Sequence, residues 1–65
     1  MKTKYDAETD ALYVRFADAP VTETEEVRPG IMLDFDATGR IVAIEVLDAS
    51  ELLAGGADLT RLVAA

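Results

Sequence analysis

The stretch IMLDFDATGRIVAIEVL, residues 31–47, decides the fold, because two apolar runs flank a turn sequence. Asp36 stands at the first position of a type I turn, and Gly39 stands where a positive φ is favoured. We therefore predict a β-hairpin in which Asp36 faces Arg40. This stretch indicates a fold, and it indicates no catalytic chemistry.

Counting outward from this turn predicts the cross-strand pairs of the hairpin and the faces that they share. The predicted pairs are Asp34 with Val42 and Met32 with Ile44 on one face, and Phe35 with Ile41 and Leu33 with Ala43 on the other. Both faces then carry apolar side chains. We expect them to be covered by the packing of the other strands and by a helix or a second copy of the chain.

Weaker patterns place further strands and helical segments around this hairpin. Leu12, Val14 and Phe16 alternate with polar neighbours, which is typical of a half-buried strand. The segment 21–28 is rich in β-branched residues but contains three glutamates, which favours a strand with a wet face at a sheet edge. The predicted elements are strands at about 2–5, 11–16, 21–28, 31–36 and 40–47, and helical segments at about 49–54 and 58–64.

Together these elements predict one α+β domain over residues 1–65, an antiparallel β-meander of four to five short strands with a short C-terminal helix. A domain of this size buries only roughly 60% of the surface that its unfolded chain exposes. No cysteine is present to reinforce it. We therefore expect a homodimer, formed by edge pairing or across the face carrying Met32, Val42, Ile44 and Val46.

Composition argues against several classes of function. The chain has no histidine and no cysteine, and therefore lacks the commonest general base and the commonest zinc ligands. Six Lys and Arg against thirteen Asp and Glu give a formal charge of −7, which repels nucleic acids and anionic lipids. We expect no nucleic-acid partner, no membrane and no cofactor. A basic protein partner fits the charge, although acidity also serves solubility, the reading we favour.

The amino terminus lacks the apolar core of a signal peptide, and no apolar run approaches the roughly 20 residues of a membrane span. We therefore expect a cytoplasmic protein.

Three acidic residues near the amino terminus have the spacing of metal ligands. Asp6, Glu8 and Asp10 alternate like the first ligands of an EF-hand loop. Ala11 and Ala17 stand where that loop needs Gly and Glu. We favour a solvated turn, with Asp6 and Asp10 bonded to nearby backbone N–H groups, over a cation site.

Other candidate residues lie on the predicted strands. Asp34 and Asp36 allow a carboxylate pair for acid and base catalysis, but we favour a salt bridge or a solvated carboxylate for Asp34 and a turn role for Asp36. Tyr5 and Tyr13 flank the first turn, and we favour their packing as a cross-strand pair over a display of two hydroxyls. The glutamates Glu23, Glu25 and Glu26 form either a solvated strand face or an acidic docking strip, with the solvated face favoured.

Three segments, residues 5–14, 24–36 and 39–50, resemble the bacterial domain-of-unknown-function 2283 family. The resemblance rests on Tyr5-Asp6, Ala11-Leu12-Tyr13, Pro29-Gly30, Gly39-Arg40-Ile41 and Leu47-Asp48-Ala49 in that order. It covers about residues 5–50, and the tail 51–65 departs from the family pattern. The family has no established activity. Its members often resemble proteins encoded beside small toxin-like proteins in bacterial operons. From this resemblance we expect an antitoxin role.

The leading hypothesis is a non-enzymatic protein-interaction domain. One alternative is an antitoxin-like partner that neutralises a small basic toxin, and another is a small metal-dependent enzyme using Asp34 and the carboxylates of residues 6–10. No catalytic, cofactor-binding or metal-binding residue is assigned. The predicted interaction residues are Met32, Asp34, Val42, Ile44, Val46, Glu23, Glu25 and Glu26.

Overall fold

The structure is a computed structural model that describes residues 1–58. It contains five strands and one short helix, which confirms the predicted α+β class. The elements are β1 (Lys2–Asp6), β2 (Ala11–Arg15), β3 (Glu23–Arg28), β4 (Ile31–Phe35), β5 (Ile41–Val46) and α1 (Ala49–Leu52). Except for Asp58, the second predicted helical segment, about 58–64, lies outside the described residues.

All five strands form a single sheet in the order β1-β2-β5-β4-β3, and every neighbouring pair is antiparallel. The last strand in the chain therefore lies at the centre of the sheet. The connection of residues 16–22 joins β2 to β3 at the far edge. All six residues of β3 are exposed, as expected for a strand rich in glutamate at an edge.

The β4–β5 turn forms as the sequence predicts. Asp36 N donates to Arg40 O at 2.9 Å, and Gly39 N donates to Asp36 O at 3.0 Å. Gly39 has a φ of +84°, a conformation that glycine adopts at little cost. The Asp36 carboxylate accepts from Thr38 N at 2.9 Å and from Arg40 N at 3.0 Å, so its hydrogen-bonding capacity is used in holding the turn.

A β-bulge beyond this turn makes most of the predicted register wrong. Phe35 pairs with Ile41 as predicted, but the next residue of β4 pairs with Ala43 and leaves Val42 unpaired. The predicted pairs Asp34 with Val42, Met32 with Ile44 and Leu33 with Ala43 are replaced by Asp34 with Ala43, Met32 with Glu45 and Leu33 with Ile44. An extra residue shifts every later pair by one position, and simple counting from a turn does not detect it.

One side of the sheet, which we name the helix face, carries α1. In antiparallel pairs, residues directly opposite each other share a face. Leu12, Val46 and Ala49 form the buried cluster between sheet and helix. The half-buried residues Tyr5, Val14, Ile44 and Leu53 pack around this cluster. The core therefore lies between α1 and the strands β2 and β5.

The other side of the sheet, which we name the open face, is crossed by a row of paired residues. The row runs through Lys2, Arg15, Ala43, Asp34 and Thr24. Arg15 donates from Nη2 to Ala19 O at 2.7 Å, which ties the β2–β3 connection to this side. Ala43 and Asp34 are both buried. Within residues 1–58, no helix has the length and apolar character needed to cross a bilayer.

Candidate functional site

Apolar and acidic residues meet on the helix face, at the end of the sheet near the β4–β5 turn. Phe35 lies opposite Ile41 in β5 on one side and opposite Glu23 in β3 on the other. In the next row, Leu33 lies opposite Glu25. We name these five residues the hairpin-end surface.

This surface is only partly covered by the described part of the chain. The Ile41 residue is 45% exposed, and Phe35 and Leu33 are half-buried. The residues that pack on the Leu12, Val46 and Ala49 cluster do not include these three side chains. Exposed apolar groups with a polar border are typical of sites that bind other molecules.

The β2–β3 connection brings further apolar residues to the same end of the sheet. Phe16 N donates to Val42 O at 2.8 Å, and Thr22 N donates to Phe35 O at 2.8 Å. Phe16 is 45% exposed, and Val21, next to Thr22, is 40% exposed. The apolar area near the hairpin-end surface is therefore larger than the strand residues alone provide.

The three glutamates of the predicted docking strip do not share one face. Glu23 and Glu25 lie on the helix face beside Phe35 and Leu33, whereas Glu26 pairs with Met32 on the open face. Glu26 Oε2 also lies 3.4 Å from Gly30 N. Two of the three predicted acidic residues thus belong to the hairpin-end surface.

The other predicted interaction residues do not form one exposed surface. Val42 and Val46 are 1% and 7% exposed, and Ile44 packs on the core cluster beneath α1. Met32 is half-buried on the open face. The expectation that Met32 shares one face with Val42, Ile44 and Val46 is therefore wrong, because the bulge pairs Met32 with Glu45 and so places it on the face opposite to Ile44 and Val46. Whether any of them touches a partner stays a prediction.

Asp34 is held inside the sheet by a neighbour on the edge strand. Its side chain is 6% exposed and accepts from Thr24 Oγ1 at 2.6 Å. A buried carboxylate needs such a partner, because an unsatisfied polar group away from water is costly. The contact fixes β3 to β4 and therefore holds the acidic strand in place.

Asp10 is the centre of a second polar cluster, which joins the β1–β2 turn to α1. Tyr5 Oη donates to Asp10 Oδ1 at 2.5 Å, and Ser50 Oγ donates to Asp10 Oδ2 at 2.6 Å. The Ser50 hydroxyl, followed by the Tyr5 hydroxyl, lowers the pKa of Asp10 below its ordinary value of 3.8. The bond to Asp10 raises the pKa of Tyr5 above 10.0.

These contacts give the cluster a structural role. A raised tyrosine pKa keeps the phenol protonated and hence unable to act as a base near neutral pH. The lowered pKa of Asp10 makes it a stable acceptor and a poor proton donor. The hydroxyl and carboxylate groups are therefore best explained as the attachment between helix and sheet.

The EF-hand-like spacing leads to different contacts for its three acidic residues. Asp6 accepts from Glu8 N at 3.0 Å, as expected for a solvated turn. Asp10 instead accepts from the backbone N–H of Ser50, which is far away in the chain, rather than from a nearby backbone N–H group. Among residues 1–58, no three carboxylates are grouped so that they could hold a metal ion.

The predicted tyrosine pair is wrong. Tyr5 lies opposite Leu12 and Tyr13 lies opposite Lys4, so the two rings are on opposite faces of the sheet. Tyr13 instead accepts from Arg15 Nη1 at 3.2 Å.

Sequence reasoning placed Leu33, Phe35 and Ile41 on one face of the hairpin, as the structure does, but did not single them out as a binding surface, because both faces were expected to be covered. One signal was available: Glu23 and Glu25 alternate with Thr24, so that both acidic side chains must adjoin the same face of β4.

Comparisons with known proteins identify a family and no further relative. The sequence model of the family described as "Protein of unknown function (DUF2283)" matches residues 2–50. Neither a curated protein nor a solved structure gives a match to this chain. The match spans all five strands and the start of α1. The chain therefore belongs to the DUF2283 family of proteins of unknown function.

Proposed function

We propose that this protein is a non-enzymatic protein-interaction domain that binds a basic, extended segment of a partner protein at the hairpin-end surface. The observation that carries the proposal is the placement of Glu23 directly opposite the half-buried Phe35, in an edge strand whose six residues are all exposed.

The edge strand supports binding by strand addition. An edge strand presents backbone N–H and C=O groups with no partner in the sheet, and a peptide that lies beside it gains main-chain hydrogen bonds. Side chains of such a peptide alternate between the two faces. Those on the helix face adjoin Glu23 and Glu25, which favours Lys or Arg at these positions.

The apolar residues add a second requirement. Leu33, Phe35 and Ile41 lie next to the acidic pair, and burial of apolar area contributes roughly 25 cal/mol per Å². A segment that combines basic residues with a large apolar side chain contacts both parts of the surface. Acidic peptides are rejected by the glutamates, so the surface discriminates as well as attracts.

The antitoxin hypothesis is a special form of this proposal. A small basic toxin is one protein that contains segments of the required chemistry, and the formal charge of −7 favours its approach over long distances. No cluster within residues 1–58 supports the metal-dependent enzyme as a second candidate.

The proposal is tested with a synthetic peptide of alternating Lys and Val, with an alternating Glu and Val peptide for comparison. We expect the Lys peptide to bind and to shift the backbone amide signals of β3 and β4, and the Glu peptide not to bind. Replacement of both Glu23 and Glu25 by Gln is expected to weaken binding about tenfold, because two favourable charge contacts are lost.

The matched control replaces Glu8 and Glu51 by Gln, which changes the net charge equally at exposed positions elsewhere. Equal weakening by both double variants would mean that only the overall charge attracts the peptide, and the proposal would be wrong. Phe35→Ala is expected to weaken binding, whereas Leu47→Ala, at a residue 42% exposed outside both β3 and the hairpin-end surface, is not.

A further inference from the structure

Strand β1 forms the other edge of the sheet. It pairs with β2 alone, and its second backbone edge has no strand beside it among residues 1–58. Thr3 and Tyr5 lie on the helix face, and Lys2, Lys4 and Asp6 lie on the open face. Unlike β3, which carries three glutamates and one arginine, β1 carries two lysines followed by one aspartate along one face.

A two-fold axis normal to the sheet is required if two copies pair antiparallel through the same edge, because residues opposite each other must share a face. For β3, two registers of this symmetry pair five residues of each copy. One places Glu25 opposite Glu25 of the second copy, and the other places Glu26 opposite Glu26 of the second copy. Like charges directly opposite each other are destabilising. The acidic edge therefore opposes self-pairing.

The longest register for β1 is centred on Lys4 and pairs all five of its residues. It places Lys2 opposite Asp6 of the second copy, twice by symmetry, and Thr3 opposite Tyr5. Its one unfavourable pair is Lys4 with its own copy. Two opposite-charge pairs against one like-charge pair make this edge, on balance, complementary to itself.

The charge pattern within one copy favours the same conclusion. Lys2 lies opposite Arg15 within the sheet, so its neighbour in β2 carries the same charge. A second copy supplies an exposed carboxylate, that of Asp6, on the free side of Lys2. We propose that the protein forms a homodimer by antiparallel pairing of β1 with β1 of a second copy, in the register centred on Lys4.

This dimer joins two five-stranded sheets into one continuous sheet, with β3 as the outer strand at each end. The interface is narrow compared with the roughly 1,600 Å² that stable complexes bury, so the dimer is weak and its population depends on concentration. It does not rest on the proposed function, because the residues involved lie at opposite edges of the sheet.

The test is sedimentation velocity of the full chain over a wide range of concentrations. The wild type is expected to shift from monomer to dimer as concentration rises. Lys2→Glu places a carboxylate opposite Asp6 and is expected to weaken dimerisation roughly tenfold. Arg40→Glu, with the same change of net charge at the distant turn, is expected to leave it unchanged.

Two further variants report on the register. Lys2→Glu combined with Asp6→Lys restores the opposite-charge pairs and is expected to recover dimerisation. Lys4→Thr removes the like-charge pair and is expected to strengthen it, an effect that loss of folding would not produce. A monomer at every concentration, a dimer insensitive to Lys2→Glu, or weakening by Lys4→Thr would each overturn the proposal.

Discussion

Asp10 and Ser50, 40 positions apart in the chain, are joined by hydrogen bonds that attach α1 to the β1–β2 turn. Ser50 N donates to Asp10 Oδ1 at 3.1 Å, and Ala49 N donates to Asp10 O at 2.8 Å. Asp48 stands at the N-cap position but makes no side-chain cap bond. Asp10 therefore supplies to the first turn of the helix an acceptor that usually comes from the N-cap residue itself.

We expect Asp10→Asn to lower the melting temperature by several degrees and to speed amide exchange in α1. Asparagine tolerates the positive φ of 55° at this position, so the change removes the charge without straining the turn. A helix this short depends on docking for its order. Circular dichroism and hydrogen exchange provide the measurements.

Asp18→Asn is the matched control, because it removes the same charge from an exposed residue in the β2–β3 connection. If the two variants melted alike, the carboxylate of Asp10 would not be the group that holds the helix.

The acid side of the stability profile should depend on two aspartates. Hydrogen bonds from Ser50 and Tyr5 lower the pKa of Asp10, and those from Thr38 and Arg40 lower the pKa of Asp36, each below 3.8. A lowered folded-state pKa contributes stability that is present above the unfolded value and is lost as the pH falls through the folded value. We expect the melting temperature to decrease as the pH is lowered below about 4. The decrease is expected to be smaller in Asp10→Asn than in the wild type.

Thermal melts between about pH 2 and 7 measure this dependence. If the melting temperature decreased equally at low pH in the wild type and in Asp10→Asn, Asp10 would not be one of the groups responsible for the decrease.

The alkaline side should depend on Tyr5. Its bond to Asp10 raises the pKa of the phenol above 10.0. A raised folded-state pKa contributes stability that is complete below the unfolded value and is lost as the pH rises through the folded value. We therefore expect Tyr5→Phe to remove part of the alkaline destabilisation, and Tyr13→Phe to leave it in place. Tyrosinate absorbance provides a second readout, in which the titration with the raised pKa disappears in Tyr5→Phe.

The β4–β5 turn could be predicted because its information is local. Asp36 and Gly39 satisfy the requirements of the turn within four residues, and no distant group is needed. The exposed edge strand was also indicated by local sequence. A run of β-branched residues that contains several glutamates favours a strand at the edge of a small sheet, where the glutamates remain in water.

The bulge at Val42 and the cap from Asp10 could not be predicted in this way. The bulge depends on how β5 fits between β2 and β4, since Val42 O also accepts from Phe16 N in a third segment. The cap joins residues that are far apart in the chain. The shared face of Leu33, Phe35 and Ile41 could be predicted, but their exposure could not, because it depends on where α1 packs on the sheet.

The contact between Thr24 and Asp34 provides a prediction about the edge strand. Thr24→Val removes the donor from a carboxylate that is 6% exposed, and we expect a loss of about 1–3 kcal/mol in the free energy of unfolding. Thr24→Val combined with Asp34→Val is expected to be less destabilised than the sum of the single variants, because both polar groups are then absent. Denaturant unfolding measures the coupling between the two residues.

Thr22→Val is the control, since its hydroxyl makes only a long contact of 3.4 Å to Phe35 O. If the losses in free energy of unfolding at Thr24 and Asp34 were additive, the two side chains would not be coupled.

Two glycines with the same backbone angle should respond differently to alanine. Gly30 and Gly39 have φ of +83° and +84°, so each substitution introduces strain of about 1–2 kcal/mol. A Cβ at Gly39 meets nothing within 4 Å, whereas one at Gly30 lies 3.1 Å from Leu52 Cδ1 and 3.4 Å from Leu47 O. We therefore expect Gly30→Ala to destabilise more than Gly39→Ala in denaturant unfolding, and to loosen α1 as Leu52 moves away. Gly55→Ala, where no positive φ is present and a Cβ meets nothing, should be close to neutral. Equal losses at Gly30 and Gly39 would mean that the packing of Leu47 and Leu52 against the β3–β4 turn adds nothing to stability.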